Sequence, residues 1–195
     1  YFPESGPPSS HIIFTFPARN GRPAVKLHWM DGGIQPERPE ELGPNEPFGD
    51  SDDVGNGVLF IGTKGKMTCA CYGLEPNLLP TSRNKEVNTP QTEKRVPGGM
   101  EGHYAHWVEA CIAGYGKMEL SSSFEIAGFL TETVLMGNLA IRSHDLRVPK
   151  TDKPNQYDYP GRGIKLLWDG DNMKVTNFDM ANQFVKRTYR EGWTL

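Results

Sequence analysis

Ile12, Phe14 and Phe16 alternate with Ile13 and Thr15, and Val25, Leu27 and Trp29 alternate with Lys26, His28 and Met30. A period of two is that of a strand with one face turned to a core. Asn20-Gly21 between the two runs is a hairpin signal, in a connection lengthened by Pro17 and Pro23. Residues 58–61 predict a third strand, Gly65 a turn, and residues 66–72 a fourth; together the four read as an antiparallel meander. The period then changes. Tyr104, Trp107, Val108, Cys111 and Ile112 fall at helical spacing within residues 101–113, and Gly114 is placed to end that helix. Ser122 and Glu125 have the spacing of a capping box, with Ser122 as N-cap, for a second helix running to about Arg142. Its apolar stripe carries Ala127, Leu130, Val134 and Ile141, with Gly137 allowing close packing. Residues 164–168 predict a short strand, and Asn177 an N-cap for a last helix carrying Ala181, Phe184 and Val185.

Strands first, then two long helices, then a strand and a helix, is an α+β order. The expected architecture is an open, mainly antiparallel sheet with helices packed on one face. The other face needs solvent or a partner. Three polar stretches, 34–56, 81–99 and 144–163, carry no periodicity, and loops of that length tend to be lids, contacts or disorder. No internal repeat is visible. Residues 1–195 read as one domain.

The chain has 195 residues, 36% hydrophobic, with a formal net charge of −3. That is enough for a real core. It offers no basic stripe for nucleic acid and no polybasic tail for an anionic membrane. The apolar run 130–141 is interrupted by Thr131, Glu132 and Asn138, and is shorter than the roughly 20 residues of a membrane span. Tyr1-Phe2-Pro3 lacks Met, and no leader pattern follows, which reads as a processed or excised chain. Cys69 and Cys71 lie two apart in a strand-like run and suit a disulfide poorly; with Cys111 they read as three buried thiols acting as small hydrophobes.

Gly55-x-Gly57 leads into a strand, not a helix, and fails the dinucleotide fingerprint. His103 and His106, with Glu101 and Glu109 nearby, open the first helix. Three readings fit them: a metal site, which lacks a third ligand at matching spacing; a polar first turn with His106 on the surface; and the edge of a ligand cleft, since residues entering a helix after a long loop often line one. Ser121, His144 and Asp145 could be assembled into a nucleophilic triad, but no Gly-x-Ser-x-Gly elbow accompanies them. Carboxylates are too numerous for a glycosidase pair to stand out. Trp29-Met30-Asp31-Gly32-Gly33 is either a plain strand end or a sugar-contacting edge through Trp29 or Asp31.

Four segments carry a resemblance: Gly57-Val-Leu-Phe-Ile-Gly-Thr-Lys-Gly-Lys66 followed by Tyr72-Gly73 and Leu79-Pro80; His103-Tyr-Ala-His-Trp-Val-Glu-Ala-Cys-Ile-Ala-Gly114; residues 124–142 with Leu130-Thr-Glu-Thr-Val-Leu-Met-Gly-Asn138; and Trp168-Asp169, Asn172-Met-Lys-Val-Thr-Asn177 and Tyr189-Arg-Glu-Gly-Trp193. In that order they resemble the carboxy-terminal domain of the glucose–fructose oxidoreductase / inositol dehydrogenase / rhizopine-catabolism (Gfo/Idh/MocA) family, in its bacterial branch. The resemblance implies a larger enzyme whose amino-terminal Rossmann domain binds NAD or NADP. The glycine-rich loop, the Glu-Lys-Pro segment and the Asp-x-x-x-His helix of such enzymes would precede Tyr1, so no catalytic, cofactor or metal residue is assigned here. The implied role of this chain is substrate binding and homo-oligomerisation through the sheet face, for a sugar, polyol or sugar derivative, and alone it would be inactive. Glu101, His103 and Tyr104 are the implied substrate contacts, with Tyr72 as a fourth. Two alternatives remain: a stand-alone carbohydrate-binding or interaction module, and part of a nicotinamide-dependent glycoside hydrolase.

Overall fold

The computed structural model of the chain describes residues 5–50 and 55–193. Its contacts divide the chain into two compact units, residues 9–95 and residues 96–195 together with the segment before residue 9. The mix is α+β, with its strands in small antiparallel sheets.

In the first unit, β1 (His11–Phe16) pairs with β2 (Val25–Met30) in the register His11↔Met30 to Phe16↔Val25. Asn20 and Gly21 both take positive φ, 51° and 74°, and Arg19 and Arg22 exchange two backbone hydrogen bonds around them. That is the left-handed two-residue turn that matches the twist of a hairpin. Ile12, Phe14 and Phe16 share one face with Trp29, Leu27 and Val25. The β1 residues of that face are half-buried and the β2 residues exposed.

β3 (Val58–Gly62) pairs with β4 (Gly65–Cys69), and β4 with β5 (Asn77–Leu79). The four expected strands are therefore not one meander: β1 and β2 form their own sheet, and β4 finds its second neighbour in β5. β5 is three residues long between Pro76 and Pro80, too short to declare itself by alternation. β4 stops at Cys69 because the Ala70 amide turns to Leu74 O, and the chain enters a 3₁₀ turn, Cys71–Gly73, with Tyr72 at φ 58°. The period of two thus ends before Cys71. Of the three thiols expected to be buried, only Cys69 is; Cys71 is half-buried and Cys111 exposed.

The unpatterned stretch after β2 is ordered by side chains instead of periodicity. Arg38 Nη2 donates to Gly43 O and Glu46 O, at 2.5 and 2.7 Å. The Glu46 carboxylate accepts from the Gly43 amide at 2.6 Å and from the Thr81 hydroxyl. Lys66 Nζ reaches Glu41 at 2.8 Å, and Leu42 is buried. The Thr81 hydroxyl, then the Gly43 amide, hold the Glu46 carboxyl below its ordinary range.

The second unit is built on α1 (Gly99–Ala113) and α2 (Phe124–Asp145). α1 begins two residues earlier than its pattern and ends at Gly114, φ 94°. The stripe that marks it as a helix faces outward: Tyr104, Trp107, Val108 and Ile112 are all exposed, while His106, read as a surface residue in the polar-turn reading, is half-buried. α2 takes Ser123, not Ser122, as N-cap. That shift puts Glu125 one position too early for a capping box, and its carboxyl is lowered by the Ser123 hydroxyl.

The inner face of α2 also differs from the expected stripe. Leu130 and Val134 are exposed, whereas Gly137, Leu139 and Ser143 are buried. α2 is apolar on more than one side, so periodicity alone does not select the buried one. Its 22 residues meet the length of a membrane-crossing helix, with mean hydropathy 1.3 over the best window, which the shorter run 130–141 did not reveal.

Leu139 packs with Val175 and Ala181, against Leu166, Trp168, Phe178, Phe184 and Val185. The expected strand 164–168 appears only as β8 (Trp168–Asp169), paired with β9 (Lys174–Val175). The last helix is a 3₁₀ segment, Asp179–Phe184, whose N-cap is Phe178. Asn177 is not that cap because its amide lies along residues 165–167: Leu167 N donates to Oδ1 at 2.8 Å, and Nδ2 donates to Lys165 O at 2.8 Å. A two-residue ladder, β6 (Val148–Pro149) with β7 (Tyr157–Asp158), organises the stretch after α2.

Candidate functional site

The C-terminal half of α2, β8 and the closing 3₁₀ segment enclose a half-open cavity of about 410 Å³ in the second unit. Its wall combines Met136, Leu139, Trp168 and Phe184 with Glu132 and Arg142. Glu132, Met136 and Leu139 are spaced four and three apart on α2, which places them on one side of the helix. Trp168 reaches that side because β8 closes back on the core: its Nε1 donates to Glu132 Oε1 at 2.6 Å. Gly170 approaches the same carboxylate so closely that a Cβ there would lie 2.8 Å from Oε1. The Arg142 guanidinium stacks over the Phe184 ring, 4.5 Å from its centroid.

An aromatic wall edged by a carboxylate and a guanidinium suits a ligand with an apolar ring face and hydroxyls at its rim. Glu132 supplies acceptors and Arg142 donors. Neither residue was singled out from the sequence, where Glu132 reads as an interruption of an apolar run. The available signal was a charged side chain inside a hydrophobic helix.

The residues implied as substrate contacts are elsewhere. Glu101, His103 and Tyr104 lie in the first turns of α1, all exposed. Glu101 and Tyr104 are three apart and share a side; His103 points away from Glu101, because two residues turn a helix by about 200°. His103 Nδ1 faces Ser121 Oγ at 3.2 Å, which ties the start of α1 to the turn before α2. Tyr72 belongs to the other unit, where it is exposed at the turn after β4. Buried beside the α1 candidates is Gly102, where a Cβ would lie 1.8 Å from Pro97 O.

The Ser121, His144 and Asp145 set does not assemble. Ser121 is paired with His103, while His144 contacts its neighbour Asp145 at 3.4 Å. No cluster of three His, Cys, Asp or Glu side chains suited to a metal occurs among the described residues. Asp31 closes the mouth of the first hairpin: it accepts from Ser10 N at 2.5 Å, Ser10 Oγ at 2.8 Å and Trp29 Nε1 at 3.0 Å. These bonds favour the strand-end reading of residues 29–33. Gly55 and Gly57 have φ of 101° and 130°, and the chain runs from them into β3. A Cβ at Gly57 would meet Cys69 O at 2.5 Å, so close packing accounts for that glycine, and the segment does not fit a dinucleotide pyrophosphate.

No family model matches the chain, and no curated protein matches it.

Proposed function

We propose that this chain is the substrate-side and oligomerisation domain of an NAD(P)-dependent oxidoreductase acting on a sugar, polyol or sugar derivative. The observation that carries the substrate class is the cavity beside α2, with Trp168 and Phe184 as apolar walls and Glu132 and Arg142 as charged hydrogen-bonding groups. Most of the resembling stretches fall on the β3–β4 hairpin, α1, α2 and the β8–β9 hairpin, while Tyr189-Arg-Glu-Gly-Trp193 lies in no helix or strand. As the resemblance implies, the reading assigns hydride chemistry to a preceding Rossmann domain.

Exposed apolar side chains support the oligomerisation part: Val25, Leu27 and Trp29 on the first hairpin, and Trp107, Ile112, Phe124 and Phe129 on the two helices. Such surface is usually covered by other protein.

The test is to express the chain with the sequence that precedes it in its gene and follow nicotinamide reduction with myo-inositol, glucose and related polyols. The expected result is cofactor reduction by at least one of them, with a raised KM in Trp168→Ala. Absence of reduction together with polyol binding by residues 1–195 alone would replace the reading with a stand-alone carbohydrate-binding module. Release of an aglycone would replace it with a glycoside hydrolase. Separately, sedimentation of the chain should show self-association; a monomer at high concentration counts against the sheet-face contact.

A further inference from the structure

We propose that His11 and His28 form a bidentate site for a borderline transition-metal cation, best matched by Cu(II). The two residues stand on adjoining strands of the first hairpin. Register pairs His11 with Met30 and Ile13 with His28, so the two imidazoles leave the same face one diagonal step apart. Their nitrogens face each other: His11 Nε2 lies 3.0 Å from His28 Nδ1, with ring centroids 5.2 Å apart and planes inclined at 33°. Both side chains belong to exposed residues, so an ion and its remaining water ligands can reach them.

The spacing suits an ion that accepts cis nitrogen ligands. With metal–nitrogen bonds of about 2.0–2.1 Å, nitrogens 3.0 Å apart subtend roughly 95° at the ion. That is a cis angle of a square-planar or octahedral ion; a tetrahedral ion asks for a wider one. Among divalent ions bound by nitrogen donors, Cu(II) is also held most tightly. Coordination requires the two lone pairs to converge on the ion instead of on each other, and the broad χ2 torsion of histidine allows the rings to readjust. It also fixes the tautomers, with the proton on Nδ1 of His11 and Nε2 of His28.

The neighbours on this face are Ile13, Thr15, Lys26 and Met30. Met30, directly opposite His11, is the one soft donor among them. Asp31 faces the other side of the hairpin with Trp29, and its carboxylate is engaged by Ser10 and Trp29. The site is therefore a two-imidazole chelate completed by water or by an external ligand. Because it bridges β1 and β2, the ion would also fasten a two-stranded hairpin, a structure marginal by itself.

The test uses the whole 195-residue chain, titrated calorimetrically with copper(II), nickel(II) and zinc(II) chlorides in a non-coordinating buffer. The expected result is one tight copper(II) ion per chain, with nickel(II) and zinc(II) weaker. His11→Gln and His28→Gln, both at exposed positions, should each weaken copper(II) by at least about tenfold, because either change removes the chelate. In histidine NMR spectra, substoichiometric copper(II) should broaden His11 and His28 before His103, His106 and His144. Copper(II) affinity within twofold of wild type in either variant, or first broadening at the other histidines, would overturn the proposal. The NMR comparison uses the unaltered protein and decides the matter even where a variant fails to fold.

Discussion

The Trp168 indole and the Glu132 carboxylate, 36 residues apart in sequence, meet at 2.6 Å on the wall of the cavity, and that bond joins β8 to the middle of α2. Trp168→Phe keeps an aromatic ring but removes the donor, leaving a half-buried carboxylate without its indole partner. The expected loss is about 1–3 kcal/mol of stability. Glu132→Gln retains an acceptor of the same shape and should lose less. Urea denaturation of the two variants checks the order; equal losses would mean that the indole bond is not what holds Glu132.

Gly161 packs directly against the α2 backbone at Ser143. A Cβ at Gly161 would lie 1.9 Å from the Ser143 carbonyl oxygen, and a carbonyl in a helix cannot rotate away as a side chain can. Gly161→Ala should therefore cost about 2–4 kcal/mol through forced backbone displacement. The Ser143 hydroxyl is buried and has no hydrogen-bond partner among the described residues. Ser143→Ala should accordingly be neutral or stabilising. Opposite signs at one contact, read from thermal melts, separate tight packing from general fragility.

The elements that declared themselves in sequence are those whose pattern is local. β1 and β2 form as strands where their alternation places them, although only β1 buries its apolar face in part, and Asn20-Gly21 turns where the dipeptide says it should. α1 and α2 follow from spacing and from Gly114. What failed required knowledge of partners. Which strands share a sheet depends on β5, three residues with no period of their own. The buried side of α2 depends on Val175 and Ala181, since Leu130 and Val134 are as apolar as Leu139. The cavity was illegible for the same reason: Glu132 and Arg142 become a site only when β8 brings Trp168 against them.

Asn182 holds the C-terminal hairpin through a side-chain amide that imitates a neighbouring strand. Val175 N donates to Oδ1 at 2.7 Å, and Nδ2 donates to Val175 O at 3.0 Å. Val175 is buried in the core around Leu139, so both backbone groups lose their partner in Asn182→Ala. The expected cost is about 1–3 kcal/mol. Asn182→Asp keeps the acceptor and sets a carboxylate against Val175 O, so it should be no better than the alanine variant. Hydrogen exchange at the Val175 amide gives the direct readout: protection should fall in both variants.

Asp31 gives the first hairpin a pH dependence of known sign. The Ser10 hydroxyl, then the Trp29 indole and the Ser10 amide, stabilise the ionised carboxylate and lower its pKa from the ordinary value of 3.8. Burial opposes this and is outweighed. A folded-state pKa below the unfolded one means that the unfolded chain binds the proton more readily. The contribution of the carboxylate is therefore complete above the unfolded pKa and is lost as pH falls through the folded one. Protonation would turn one oxygen from acceptor to donor and free Ser10 from the hairpin mouth. Asp31→Asn should remove this acid-induced loosening, measured as Trp29 indole and Ser10 amide NMR shifts between neutral pH and the acid limit. Ser10→Ala should raise the Asp31 pKa toward its ordinary value, because it deletes the largest stabilising bond while leaving the carboxylate in place. An unchanged Asp31 titration in Ser10→Ala would show that the hydroxyl does not hold the charge, and the hairpin mouth would then owe its closure to the Trp29 and backbone bonds alone.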